Sequence, residues 1–248
     1  MEIIAERKTK TVYKDGNAVV KLFAKDYSKA DILNEALIHS RVEEVTKLNV
    51  PKLLEVKKYG SRWALTTEYV EGKTLTELMV EHPEKQDEYL EMFIKLQLEV
   101  FGNTVPLLNR IKDKFKRKLM ATNLIDENIK YELLQRLEGM KNHTKLCHGD
   151  FNPSNIIVKP NGECYILDWS HATVGNASAD AARTFLIFSL HGNENLATKY
   201  LEMFAKMSNI EKANIQRWIP IVAATQLTKG IESEQEFLRN WIDIVDFE

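Results

Sequence analysis

Cysteine is scarce in this chain of 248 residues, and long hydrophobic runs are missing. The only cysteines, Cys147 and Cys164, do not form a paired metal-ligand spacing, and two cysteines in a chain of this size do not make a disulfide framework. Residues 1–7 lack the apolar core of a signal peptide, and no run approaches the length that spans a bilayer. We therefore expect a cytoplasmic protein with reduced thiols and no membrane partner.

The chain also lacks an excess of charge of one sign, because its formal net charge is -2 and its pI is near 6.3. This balance gives no general attraction to nucleic acid, which excludes a typical nucleic-acid-binding protein. One local exception is the basic run from Arg110 to Lys118. Its composition favours a solvated helix face, and a polyanion site is the alternative.

The dipeptide Asn161-Gly162 separates two short apolar runs. Asn-Gly in this setting is the strongest local signal for a two-residue hairpin turn, and pairing outward from it sets Asn155 opposite Asp168. Directly opposed residues lie about 4.5–5.5 Å apart at Cα. An amide oxygen and a carboxylate at that separation can share one Mg²⁺ ion. Asn155 and Asp168 are therefore the predicted metal ligands.

A candidate base, Asp150, lies in the His148-Gly149-Asp150 segment just ahead of Asn155. The segment is too rich in turn residues to be the interior of a helix or strand, although turn chemistry alone also favours such residues. Phosphoryl transfer needs a carboxylate that orients the attacking hydroxyl and accepts its proton, together with oxygen ligands for the metal ions at the phosphates. The joint pattern therefore predicts a phosphotransferase site.

The segment from His148 to Asn155, followed by Leu167-Asp168-Trp169, resembles the catalytic and metal-binding segments of the aminoglycoside phosphotransferase and choline kinase family. Kinases place an asparagine five residues after the catalytic aspartate, and this chain keeps that spacing. The resemblance implies that Asp150 is the base, that His148 orients its loop, and that the cofactors are ATP (or GTP) and Mg²⁺.

The same resemblance implies an α+β, two-lobed protein-kinase-like fold. A small N-terminal lobe, with an antiparallel sheet and one helix that bind the nucleotide, is expected over residues 1–70. A larger and mainly helical lobe, with the catalytic loop, the metal-binding hairpin and the acceptor-binding helices, is expected over residues 71–248.

A second hairpin is predicted at Asp15-Gly16, and outward counting from it brings Lys21 opposite Lys10. The strand that carries Lys21 resembles the kinase strand whose lysine contacts the α- and β-phosphates and pairs with a glutamate on the next helix. Lys21 is therefore expected to bind the nucleotide.

The helix after this strand is expected to begin between residues 28 and 31 and to run toward Leu48. Glu35 shares a face with apolar residues that point inward, and an inward charge needs a partner. Lys21 is the predicted partner. If the helix is rotated, Glu43 or Glu44 would take the place of Glu35 in this pair. A third possibility is that Glu35 lies at the edge of the apolar stripe and is solvated by water.

Glycine is missing where kinases have a glycine-rich phosphate loop, and threonines stand there instead. The hydroxyls of Thr9 and Thr11, with nearby backbone N–H groups, are expected to hydrogen-bond phosphate oxygens. By resemblance, backbone groups of Glu68, Tyr69 and Val70 are expected to hydrogen-bond the adenine edge.

The resemblance also implies that Asp180 braces the catalytic loop at His148 and that the partner is a small molecule with a hydroxyl. The segment from Glu232 to the chain end has six acidic residues and one basic residue, Arg239. This composition favours a cationic acceptor such as an amino sugar or a quaternary amine. Tryptophans near carboxylates would suit such an acceptor, but tryptophans at helical spacing are usually core.

Two other functions remain open at this stage. A catalytically silent relative would keep the fold and bind ATP without turnover. A metal-dependent hydrolase could use His148, Asp150, Asp168 and His171, because clusters of histidine and carboxylate bind transition metals.

Overall fold

The computed structural model describes residues 2–242. Its strands and helices, in chain order, are β1 Glu2–Arg7, β2 Lys10–Asp15, β3 Ala18–Phe23, α1 Lys29–Val45, β4 Leu53–Tyr59, β5 Arg62–Glu68, β6 Lys73–Thr74, α2 Leu75–Glu81, α3 Gln86–Phe101, α4 Ile111–Ala121, α5 Glu127–Gly139, β7 Lys145–Cys147, β8 Ile156–Val158, β9 Cys164–Ile166, β10 Thr173–Gly175, α6 Ala177–Leu190, α7 Glu194–Ser208, α8 Lys212–Gln216, α9 Ile219–Leu227 and α10 Gln235–Ile242. Short 3₁₀ turns lie at Pro83–Lys85, Pro153–Asn155, Trp169–His171 and Glu232–Glu234.

The chain divides into two compact units. Unit 1 contains the described residues up to Lys85 together with Pro153–His171, and unit 2 contains Gln86–Asn152 and the described residues from Ala172 onward. Residues 71–85 and 153–171 thus group with the N-terminal sheet, which differs from the expected boundary after residue 70. The assignment of lobes by function stays a prediction.

Unit 1 is built on a five-stranded antiparallel sheet with the strand order β1-β2-β3-β5-β4. Its core forms where α1 meets the sheet, at Phe23, Ile32 and Leu65, which are at most 1% exposed. The Oγ of Ser28 caps α1 by accepting from the Asp31 N–H at 3.3 Å, as expected of serine at this position. The helix expected from the apolar spacing is therefore confirmed.

The register predicted for the β2–β3 hairpin is wrong by two residues. Lys21 lies opposite Val12 rather than Lys10, and the loop is Gly16-Asn17 with φ of 61° at Gly16. Both Asp-Gly and Gly-Asn can form two-residue hairpin turns, and glycine at the first loop position is typical of a II′ turn. A shift of two residues leaves every side chain on its predicted face.

The register predicted for the β8–β9 hairpin is wrong by one residue, because Val158 lies opposite Cys164. The turn has three residues: the Gly162 N–H donates to the Lys159 carbonyl at 2.9 Å, and Gly162 has φ of 84°. Pro160 then occupies the second position of the turn, which proline favours, whereas the predicted pairing required proline within the ladder. Asn155 is therefore not directly opposite Asp168.

Unit 2 is mainly helical, and its two-stranded sheet pairs β7 with β10. Helix α6 is buried along most of its length, and aromatic rings of Phe93, Phe151, Phe188 and Tyr200 pack together in the core. The predicted fold class, an N-terminal antiparallel sheet with one helix and a larger helical part, is confirmed. None of the helices within residues 2–242 has the length and apolar character needed to cross a membrane.

Gly72 provides a test of the fold of unit 1. It has φ of 156°, and a Cβ atom placed on it would lie 2.5 Å from the Val158 carbonyl oxygen. We expect Gly72→Ala to lower the free energy of unfolding by about 1–3 kcal/mol, because the new methyl group must displace backbone of the β6–β8 pair. Urea unfolding measures the difference.

Gly139→Ala is the matched control, because a Cβ atom there meets nothing within 4 Å and Gly139 ends a helix. It should be neutral or stabilise by up to about 1 kcal/mol. Equal effects of the two substitutions would contradict the close approach at Gly72.

Candidate active site

The Lys21 ammonium connects three elements of unit 1. It donates to Glu35 Oε1 on α1 at 2.9 Å and to Asp168 Oδ1, just after β9, at 3.0 Å. The Lys10 ammonium lies 3.6 Å from the other oxygen of Asp168. The predicted pairing of Lys21 with Glu35 is confirmed, and Lys10 joins the same group of charges although it does not face Lys21 across the strands.

Burial and charge act in opposite directions on this group. Burial alone lowers the pKa of Lys21, but the carboxylates of Asp168 and Glu35 outweigh it and raise the pKa above its ordinary value. Burial alone would raise the pKa of Asp168, yet the charges of Lys21 and Lys10 hold that pKa well below its usual range. Asp168 is therefore an ionised carboxylate, as a metal ligand must be.

The backbone at Asp168 is in the left-handed region, with φ of 56°, which is uncommon for a residue other than glycine. Two contacts fix it. The Leu167 N–H donates to the Asn155 carbonyl at 2.8 Å, and the indole of the fully buried Trp169 donates to the Ile166 carbonyl at 3.0 Å. The alternation of side chains along the strand therefore ends before Asp168. The turn after β9 positions Asp168, and Asn155 faces the preceding residue, Leu167.

Carboxylate and amide oxygens are the donors that Mg²⁺ prefers, so the chemistry of Asp168 and Asn155 fits that ion. Within residues 2–242 no group of three or more histidine, cysteine, aspartate or glutamate side chains is arranged to hold a metal ion. The candidate metal site is thus a pair of residues, and nucleotide phosphates and water would have to supply the other ligands.

The threonines expected at the nucleotide phosphates lie on and beside the β1–β2 turn. Thr9 is in the turn, where its carbonyl accepts from the Ala24 N–H at 2.8 Å. Thr11 lies within β2 opposite Leu22. The structure places both residues next to Lys10, and their contact with phosphate stays a prediction.

The segment expected at the adenine already uses two of its N–H groups. Glu68 donates to the Lys52 carbonyl and Tyr69 donates to the Asn17 carbonyl, each at 2.9 Å. An adenine base would have to be recognised by other atoms of this segment, such as those of Val70. The role of the three residues stays a prediction.

In unit 2, the loop that carries Asp150 is held by the carboxylate of Asp180. The N–H groups of His148 and Gly149 donate to its two oxygens at 3.0 and 2.7 Å. The His148 Nδ1 in turn accepts from the Asp150 N–H at 3.2 Å. Asp180 therefore braces the loop, as expected, and it does so through the backbone N–H groups of the loop.

The same face of α6 holds the loop at two further points. Thr184 Oγ1 donates to the Phe151 carbonyl at 2.9 Å, within a buried chain of side chains that continues through Gln97. Arg183 Nη2 lies 3.4 Å from Asp150 Oδ1. Residues 180, 183 and 184 share one helix face, so a single helix positions the candidate base.

Four basic side chains of unit 2 form a group that we call the cationic cluster: Lys114, Lys118, Arg183 and Lys229. The two lysines of α4 are one helical turn apart and half-buried, because they flank the buried stripe of Ile111, Phe115 and Leu119. Arg183 comes from α6, and Lys229 follows α9, which packs against both α4 and α6.

Lys114 and Lys118 are partly desolvated, Lys229 is more exposed, and the basic side chains of the cationic cluster repel one another. Burial, the charge of Lys118, and those of Arg183 and Lys229 lower the pKa of Lys114 to about 7, although Asp180 raises it. Burial and Arg183 likewise lower the pKa of Lys229 to about 8, against the charges of Asp150 and Glu234. Burial and Arg183 also lower the pKa of Lys118.

Sequence reasoning missed this cluster, because it interpreted the run from Arg110 to Lys118 as a solvated helix face. That interpretation is wrong for Lys114 and Lys118 and holds for Lys116 and Arg117, which are exposed. A signal was present in the spacing, since two lysines four residues apart border an apolar stripe. No signal in the sequence connected them to Arg183 or Lys229.

Solved structures with the same fold include aminoglycoside phosphotransferases and a choline kinase. A thermostable mutant of aminoglycoside phosphotransferase APH(4)-Ia, in ternary complex with AMP-PNP and hygromycin B, matches with a TM-score of 0.71 at 14% identity over 97% of this chain and 90% of that chain. The GDP complex of a mutant aminoglycoside 2'-phosphotransferase-IIIa matches with a TM-score of 0.61 at 16% identity, over 97% and 87% of the chains. Choline kinase LicA from Streptococcus pneumoniae matches with a TM-score of 0.61 at 15% identity, over 96% and 86%.

These likenesses show that the chain has the kinase-like fold of these proteins. The model of the phosphotransferase enzyme family (APH) matches residues 6–214, and the chain belongs to that family. Comparison with curated protein sequences gives no match.

The lowered pKa of Lys114 predicts a pH-dependent stability. Between about pH 7 and 10.5 the unfolded chain keeps the proton of this lysine and the folded chain does not, so stability rises with pH in that window. We expect Lys114→Met to stabilise the protein at pH 6.5 by at least about 1 kcal/mol, or roughly 2–4 °C in Tm. The gain should shrink as the pH rises toward 10.

Thermal unfolding at a series of pH values measures the gain. The exposed Lys116 of the same helix supplies the control, because Lys116→Met should change Tm by a small amount that does not vary in this way. A gain from Lys114→Met that is the same at pH 6.5 and pH 10 would show that Lys114 is not desolvated.

Proposed function

We propose that this protein transfers the γ-phosphate of Mg-ATP to a hydroxyl of a small molecule. The observation that carries the proposal is the Lys21 ammonium held between Glu35 and Asp168 at 2.9 and 3.0 Å, in a member of a phosphotransferase family. Kinases use this lysine and glutamate to position the nucleotide phosphates, and the aspartate to bind the metal. GTP is the alternative donor.

Lys21, with Lys10, binds the phosphates of the nucleotide, and the N–H groups and hydroxyls at Thr9 and Thr11 add hydrogen bonds. Phosphate oxygens replace Asp168 as the partners of the two lysines. Asp168 and Asn155 would hold Mg²⁺, which would neutralise charge on the phosphates. Glu35 keeps Lys21 oriented throughout.

Asp150 is the base of the proposed reaction. Its carboxylate orients the acceptor hydroxyl and accepts the proton while the hydroxyl oxygen attacks the γ-phosphorus and the bond to the bridging oxygen breaks. ADP and the phosphorylated acceptor are the products. His148 transfers no proton; its Nδ1 accepts from the Asp150 N–H and keeps the loop in shape.

The acceptor is proposed by class, as a small molecule with a free hydroxyl. The solved relatives include enzymes named for aminoglycosides and choline, and one holds hygromycin B. The expectation of a cationic acceptor rested on six acidic residues, of which Asp243, Asp246 and Glu248 lie outside the described residues. Trp218 is 1% exposed and belongs to the core, which is the usual place of a tryptophan at helical spacing.

The silent relative and the metal-dependent hydrolase make different predictions from the kinase. A silent relative binds the nucleotide but does not turn it over, although Lys21, Asp150 and Asp168 are all present here. A hydrolase would respond to zinc or manganese rather than to nucleotide. Nucleotide binding followed by acceptor phosphorylation separates the three.

Mg-ATP at about one hundred times its Kd should raise the Tm of the wild-type protein by roughly 5–10 °C. Asp168→Ala should lose most of this gain, because Asp168 is the only carboxylate of the proposed metal pair. Asp26→Ala, at an exposed aspartate of the same unit, is the control and should keep the gain. Unchanged nucleotide affinity in Asp168→Ala would contradict the metal assignment.

Asp150→Ala should lower turnover by about 10²–10⁴-fold while nucleotide binding is kept, because a positioned base contributes in that range. The measurement is acceptor-stimulated ADP release across amino sugars, choline-like alcohols, simple sugars and sugar acids. Asp113→Ala, at an exposed aspartate of α4, should retain full turnover. An Asp150→Ala protein that is as active as the control would remove Asp150 from the mechanism.

A further inference from the structure

The cationic cluster has no role in the chemistry described so far. Four basic residues from α4, α6 and the end of α9 interact electrostatically with one another, and the residues of opposite charge that act on them within residues 2–242 include Asp150, Asp180 and Glu234. Asp180 already accepts two backbone N–H groups, and Glu234 accepts from Gln226 Nε2 at 2.6 Å. Four basic side chains thus face three named carboxylates, so these carboxylates do not balance all of the positive charge.

The guanidinium group of Arg183 also makes fewer hydrogen bonds within the described residues than it has N–H groups to donate. Its side chain is 13% exposed, and its Nη2 makes a long 3.4 Å contact with Asp150 Oδ1. Its Nη1 is buried and, within the part of the chain that the structure describes, has no hydrogen-bond partner. A buried guanidinium N–H without an acceptor is costly, and guanidinium groups bind carboxylate and phosphate through two parallel hydrogen bonds.

The lysines supply the second observation. Lys114 and Lys118 are half-buried on one edge of α4, whereas Lys116 of the same helix is exposed. Crowding like charges in a desolvated place destabilises the fold, and an anion at the same place would relieve both the repulsion and the loss of hydration. Such an arrangement is typical of a binding site for an anion rather than of a surface tuned for stability.

We propose that Lys114, Lys118, Arg183 and Lys229 bind an anionic group, a carboxylate or a phosphate, of the acceptor. The proposal rests on the proposed function, because it assigns the acceptor of that reaction. One guanidinium carries both the buried Nη1 and the contact with the candidate base Asp150, so the anion and the hydroxyl that is phosphorylated belong to one small molecule. The acceptor is then an acidic alcohol, such as a sugar acid or a sugar phosphate, and not a cation.

Inorganic phosphate is the probe for this site. We would titrate it by calorimetry into the wild-type protein saturated with Mg-AMP-PNP, so that the nucleotide phosphates occupy their own residues. Saturable binding is expected, and Lys118→Met should weaken it about 5- to 20-fold, because one charge-assisted contact is lost. Lys116→Met, the matched substitution on the exposed face of α4, should bind as the wild type does.

Lys229→Met keeps the test valid if Lys118→Met folds poorly, because Lys229 is exposed and comes from a different part of the chain. This substitution should also lower the affinity for phosphate. The same titration with acetate distinguishes the two kinds of anion. Tighter binding of phosphate assigns a phosphorylated acceptor, and tighter binding of acetate assigns a carboxylate.

The proposal is overturned if the wild-type protein shows no saturable binding of either anion, or if Lys118→Met and Lys116→Met bind phosphate equally well. Phosphate binding that is lost in Lys21→Met but kept in Lys118→Met also overturns it, since the anion would then occupy the nucleotide site. Failure of the proposed function has a different result: either AMP-PNP fails to bind, or it binds and no acceptor is phosphorylated, whereas phosphate binding to the nucleotide-free protein still depends on Lys118 and not on Lys21.

Discussion

The ammonium group of Lys21 is the charge on which the candidate nucleotide site depends. It lies on the central strand β3 and binds a carboxylate from α1 and another from the turn after β9, which are far apart in the sequence. None of the three charges would be stable alone at this degree of burial. Because they satisfy one another, the ion-paired group fixes α1 and the Asp168 turn against the sheet, and it keeps Asp168 ionised for a metal ion.

Unit 2 also stabilises a buried charge, but the central group there is an acid and its partners are N–H donors. The carboxylate of Asp180 is 1% exposed and is stabilised by two backbone N–H groups of the loop that carries Asp150. Burial raises the pKa of Asp180 and these hydrogen bonds oppose that rise. A buried acid with N–H donors on both oxygens restrains the loop, so the candidate base is held in place by the fold itself.

The parts of the site that could be predicted from the sequence are those where a charged residue on a buried face requires a partner of opposite charge. An inward-pointing Glu35 needed a cation, and Lys21 is that cation. The hairpin registers were harder, because glycine next to Asp or Asn permits more than one turn. The shift of two residues at β2–β3 was harmless for Lys21, whereas the shift of one at β8–β9 moved Asn155 out of line with Asp168. The left-handed backbone of Asp168, which no spacing rule predicts, places that residue instead.

The cationic cluster could not be predicted, because its members come from α4, α6 and the end of α9 and only tertiary packing brings them together. It also bears on the two opposite proposals for the acceptor. The glutamates Glu232 and Glu236 of the C-terminal stretch are exposed, where a charge pair at 4 Å is worth about 1 kcal/mol. Partly desolvated charges such as Lys114 and Arg183 interact about four times as strongly at the same distance. A cationic acceptor would gain the weaker attraction and meet the stronger repulsion, which is why the acceptor that we propose is an acidic alcohol.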